Sequence, residues 1–184
     1  MESDTRQLLS ELREDHRNMA LVLNVLERNI ETAASGADPD FELIDEIMRY
    51  MTVYPDAVHH PKEDVVYAEL KKQRPDLADG LDDVPADHQQ IAELGSKLRG
   101  DVEAVVAGAA VRRAQFILDA LQYVGRLRRH MAWEETDLFT RVDTMIGEDP
   151  HAVDVDEFLH IKDPVFELEV EAGFRRLLSG LQID

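Results

Sequence analysis

The chain has 184 residues, a formal net charge of −19, 44% hydrophobic and 32% charged residues, and no cysteine. That length suits one domain against a norm of about 150 residues, and the apolar content supports a packed core rather than an acidic disordered chain. The negative field repels phosphate backbones and anionic lipid, which argues against nucleic-acid and membrane partners, and without cysteine any metal must be held by nitrogen and oxygen.

In chain order, Leu8, Leu12, His16, Met19, Leu23, Leu26 and Ile30 form one stripe of an amphipathic helix. His16 therefore faces inward. The helix should stop near Ser35-Gly36, and Asp38-Pro39 reads as the start of a second helix through Ile44, Met48 and Met51 to Leu70. Pro55 and Pro61 fall inside it, and each removes a backbone hydrogen bond, so a kink or break is expected there. After a Pro-, Asp- and Gly-rich connection from Gln73 to Asp83, a third helix carries Val84, His88, Ile91, Gly95, Leu98, Val102 and Val105 on one stripe. A fourth carries Phe116, Ala120, Tyr123, Leu127, His130, Glu134 and Leu138, and should end near Gly147 to Pro150. A short amphipathic segment from Val165-Phe166 to Leu178 reads as a fifth helix on the outside. No period-2 run competes. The pattern predicts an all-α, up-and-down four-helix bundle, one domain over residues 1–184 with the bundle at about 5–146 and a C-terminal helical extension at about 147–184.

The polar residues on these stripes repeat. Asp15-His16 is matched by Asp87-His88, and His59-x3-Glu63 by His130-x3-Glu134, each pair followed by a second acid, Asp64 or Glu135. The spacings from His16 to His59 and from His88 to His130 differ by a single residue. Residues four apart share a helix face, so each His-x3-Glu pair can hold a metal from one helix, and a carboxylate has two oxygens with which to bridge two ions. The candidate ligands are His16, His59, Glu63, His88, His130 and Glu134. Four imidazoles and two carboxylates are few for two octahedral ions, which leaves room for a bridging oxo or hydroxo group and a small exogenous molecule. Burying six ionisable groups without a cation would cost several kcal/mol for each unpaired charge, and only Lys62, Arg126, Arg128 and Arg129 lie nearby in sequence.

His60 is an alternative to His59, but its counterpart in the second half is Met131, so the repeat favours His59. His151 and His160 have no repeat partner and read as surface residues. Tyr54, Tyr123 and Trp133 read as packing residues. The acidic run at Asp82, Asp83 and Asp87 reads as a solvated helix start.

The constellation, with the strings His-His-Pro-Lys-Glu-Asp and His-Met-Ala-Trp-Glu-Glu, resembles the hemerythrin-like HHE cation-binding family over roughly residues 5–146. The resemblance implies two non-haem iron ions, bridged by Glu63 and Glu134 and an oxo group, with four terminal histidines; zinc and manganese suit the same donors. Oxygen-carrying hemerythrins place a further His one turn after the third-helix His, and here that position is Ala92. The four-His, two-Glu set is more similar to di-iron proteins implicated in iron–sulfur cluster repair and nitric oxide response.

Three functions follow as expectations. The first is a di-iron protein that binds a diatomic ligand, oxygen or nitric oxide, or stores or senses iron. The alternative is a di-iron redox enzyme acting on peroxide, nitric oxide or damaged iron–sulfur clusters. A structural bundle whose metal only holds the fold, or whose acidic surface docks a partner, is the third. The opening residues show no basic stretch followed by an apolar one, and no run of about 18 apolar residues occurs, so a cytoplasmic location is expected.

Overall fold

A computed structural model describes residues 5–154, 163–166 and 172–181. Every long element in it is a helix, and four helical columns pack side by side. The first column is α1 (Thr5–Ala34), whose predicted stripe from Leu8 to Ile30, His16 included, is wholly buried. It ends where Gly36 takes φ 91°, a left-handed conformation that costs glycine little.

The second column starts two residues later than the sequence suggests. Asp40, not Asp38, caps α2 (Phe41–Tyr54) by accepting from the Leu43 N–H, whereas Asp38 pairs with Arg113. The two prolines do not break this column. Instead Pro55–His59 forms a π turn, in which the His60 N–H reaches back five residues to the Pro55 carbonyl, and α3 (His60–Gln73) continues from it. The widened turn absorbs the missing proline N–H groups and inserts one extra residue.

Two short 3-10 turns, with Gly80 at φ 79°, lead to α4 (Val84–Val106), which buries Val84, His88, Ile91, Gly95, Leu98 and Val102. The fourth column is α5 (Arg113–Trp133), a second π turn (Glu134–Leu138) and α6 (Phe139–Glu148). Column one packs on column four, and α2 on α4, while α4 and α5 are also neighbours. The bundle is therefore helical and up-and-down, in agreement with the sequence.

Beyond the bundle, the predicted fifth helix is shorter and later than expected. Residues 164–166 form a turn, and the helical part is a 3-10 turn followed by α7 (Arg175–Leu181), which buries Leu177 against the bundle. Glu46 accepts from the Arg176 and Leu177 N–H groups and so caps α7 from α2. His160 lies outside the described residues, and His151 is exposed, as expected.

The apolar core is split. One cluster holds Met19, Leu23, Leu26, Ile44, Met48, Leu98 and Leu127, and the other holds Leu8, Leu12, Val66, Leu70, Val84, Phe139 and Val142. Between them lies a buried layer of histidines and glutamates.

Candidate metal centre

The layer assembles the sequence-derived residues from all four columns. His16 comes from α1, His59 and Glu63 from the π turn and α3, His88 from α4, and His130 and Glu134 from α5 and the second π turn. All six are buried, and both glutamates are wholly inaccessible. His59 and Glu63, like His130 and Glu134, lie four apart, with Nε2 to carboxylate distances of 3.2 Å in each pair. Glu63 spans the layer: its Oε1 lies 3.4 Å from His16 Nε2, and its Oε2 lies 3.5 Å from His88 Nε2. Glu134 Oε2 lies 3.4 Å from His16 Nε2 and so also faces both halves.

The structure adds a seventh member. His60 is buried, stacks on His88 with ring centroids 4.2 Å apart, and joins Glu63, His88 and His130 in one potential donor set. His16, His59 and Glu63 form the other, so Glu63 is common to both. The sequence argument takes one histidine of the pair because the repeat offers Met131 opposite His60. The pairing in fact places both rings inward, one in each donor set. The two π turns also fall differently in the two halves, one ending at His59 and one starting at Glu134.

Each ring is held from behind by an acid. The His16 Nδ1 lies 3.0 Å from Glu135, the His59 Nδ1 3.1 Å from Asp15, and the His130 Nδ1 2.8 Å from Asp87. The His88 Nδ1 is 3.2 Å from Asp64, and the His60 Nδ1 is 3.4 Å from Asp56. Four of these acids are the repeat partners seen in the sequence: Asp15 and Asp87 each hold a histidine of their own half, and the other two cross over. Glu135 follows the glutamate of the second half yet holds the histidine of the first, and Asp64 does the reverse. Asp87 is thus not a solvated helix-start residue but a buried-side carboxylate shared between His130 and Arg126.

Where Nδ1–H is donated to a carboxylate, as in His16, His59 and His130, Nε2 is the free lone pair. The Nε2 atoms of His16, His59, His60, His88 and His130 are buried without a hydrogen-bond partner, as are both oxygens of Glu63 and Oε2 of Glu134. Buried polar groups left unmatched are costly, and here they all converge on one space. Metal binding satisfies them, since imidazole nitrogen and carboxylate oxygen are natural metal donors. The residues fit a metal centre.

The electrostatics agree. Burial would raise the Glu63 carboxyl, but the charge of His59 and the close approach of the His16, His59 and His88 rings hold it well below the ordinary range. Burial and the charge of Glu63 both oppose ionisation of Glu134, yet His16, His88 and His130 pull it down. Burial disfavours charge on His16 and His88, but the carboxylates around them favour the protonated ring and raise both to about 11. Without metal, protons occupy the place of the cations.

Residues 7–158 match the hemerythrin HHE cation-binding domain. The chain belongs to that family. No curated protein and no solved structure matches it. Within this hemerythrin-like domain, three further residues support the centre without being evident as site residues in the sequence. Tyr67 donates to Glu134 Oε1 at 3.0 Å, and burial with the charges of Glu63 and Glu134 pushes its phenol far up, so it remains a donor. Its position four after Glu63 is the signal that was available. Phe139 stacks on His16 at 5.2 Å. Tyr54, expected only to pack, donates to Asp15 at 3.1 Å. Tyr123 packs against Gly95, and Trp133 lies beside Gly80 and packs against the apolar cluster that holds Leu8 and Phe139, as expected.

Proposed function

We propose that this hemerythrin-like protein binds two iron ions and uses them to bind oxygen or nitric oxide, or to store or sense iron, in the cytoplasm. The observation that carries the reading is the convergence of five unpartnered Nε2 atoms on two carboxylates, with an acid within 3.4 Å of the Nδ1 of every ring. His16, His59 and Glu63 would hold one ion, and His60, Glu63, His88 and His130 the other, with Glu134 facing both. When bound, iron supplies open coordination positions and reversible electron transfer.

The chain's own residues set the conditions. The donor set with His16 and His59 has one imidazole fewer, so the room for an exogenous ligand falls on that side. The apolar clusters above and below exclude water from the layer. A surface cavity of about 400 Å³, lined by Asp87, Arg126, His130 and Trp133 among others, reaches the back of His130. Among the described residues no helix is long and apolar enough to cross a membrane.

Metal content by elemental analysis of untagged protein, with its absorption spectrum as isolated, tests the reading. Two irons per chain and a spectrum that changes with oxygen or nitric oxide on the reduced protein would support it. A metal-free protein, or a single zinc after growth in iron-rich medium, would overturn it.

A further inference from the structure

The two halves of the centre are related by the repeat, but the groups behind their matching aspartates differ. Asp15 gives one oxygen to His59 and the other, at 3.1 Å, to the Tyr54 hydroxyl. Asp87 gives one oxygen to His130 and the other to the Arg126 guanidinium. Tyr54 is five residues before His59 and Arg126 only four before His130. The extra residue is the one inserted by the π turn at Pro55–His59, so Tyr54 and Arg126 occupy equivalent places once the turn is counted. Spacing alone would pair Tyr54 with Gly125.

We propose that Arg126 and Tyr54 are positioning residues that make the two metal positions inequivalent, a cation weakening His130 as a donor while a neutral phenol leaves His59 strong. This rests on the metal-centre reading above. A carboxylate behind a ligating imidazole raises the basicity of its Nε2. A guanidinium on that carboxylate removes part of the effect, because the acid's charge is already balanced. The same positive charge, one hydrogen bond beyond His130, also opposes a cation on that side. Both effects act in one direction. They offset part of the advantage that a third imidazole gives the set of His60, His88 and His130.

The test is to load the protein with Co(II) and follow two readouts: the paramagnetically shifted, exchangeable imidazole N–H resonances, and the rate at which each ion leaves to a chelator. In Arg126→Gln the His130 N–H resonance should move and the His59 resonance stay. One of the two ions should leave more slowly, by roughly three- to tenfold, at the low end of what outer-shell changes produce. Arg126→Lys keeps the charge and should restore the wild-type pattern. Tyr54→Phe should move the His59 resonance alone. The Arg126 side chain is about one-third exposed (34%), so its replacement does not empty the core. If Arg126→Gln and Tyr54→Phe move the same resonances, if both ions respond equally, or if Arg126→Lys behaves as Arg126→Gln, the proposal fails while the metal centre stands. If the wild-type protein takes up no Co(II), the metal-centre reading falls and the proposal with it.

Discussion

Glu63 is the residue on which the centre turns, because its two oxygens face opposite histidine sets. Glu63→Ala should therefore lose metal from both positions, and elemental analysis showing one ion retained at full occupancy would refute the bridging role. His60→Ala should weaken one ion only, by roughly 10-fold or more as for loss of a direct ligand, since an outer-shell partner alone is worth 10–100-fold. The raised histidines bear on pH. In the metal-free protein His16 and His88 sit at about 11 against an ordinary 6.5, so their protonation stabilises the fold fully below about 6.5 and ceases to as pH rises toward 11. Chelated protein should thus lose thermal stability from pH 7 to 10. Metal must displace these same protons, so loading should release protons and tighten over that interval. Calorimetry in buffers of different ionisation enthalpy would read the release, and an absence of buffer dependence would contradict it.

At the scale of elements, the columns are held together by small residues as much as by large ones. A Cβ at Gly95 would lie 3.1 Å from both the Thr52 methyl and the Tyr123 ring, where α4 meets α2 and α5. Gly95→Leu should overpack this crossing and cost about 1–3 kcal/mol, seen as a lower midpoint in denaturant. The π turns were not legible in the sequence. Pro55 and Pro61 signal a disturbance, but whether a helix answers with a break, a kink or an inserted residue depends on what its neighbours demand. Here both His59 and His60 face the layer that α1 and α4 also line. That placement is why the repeat argument, sound for His59, was incomplete for His60: a one-residue insertion changes which side chains face inward and leaves no mark on spacing within one helix.

Across the whole molecule, a polar layer divides two apolar clusters, and the fold must satisfy it. Removing metal leaves imidazoles and carboxylates buried without partners other than each other, so chelation should lower the melting temperature. An unchanged melt would mean the cluster is self-sufficient. The C-terminal part is tied to the same body. The buried Tyr50 hydroxyl donates to Asp163 at 2.9 Å, and Asp163 also accepts from the Val165 and Phe166 N–H groups. Asp163→Ala strands that phenol and should cost about 1–3 kcal/mol, with faster proteolysis near residues 163–166 as the check.

The amino-acid sequence by itself determined the helical class, the inward stripes and six of the seven residues in the layer. Periodicity is a local property, and an ionisable residue on an apolar stripe stands out without any knowledge of what lies opposite. It also showed the acids Asp15, Asp64, Asp87 and Glu135 as a repeat, but not what they do. Only the tertiary structure decided that Asp64 and Glu135 cross over to histidines of the other half while Asp15 and Asp87 serve their own, that His60 joins His59, and that Arg126 rather than a phenol stands behind His130. Each of these is a contact between columns, or depends on the phase of a widened turn. Such relations arise only when four helices close around a common centre.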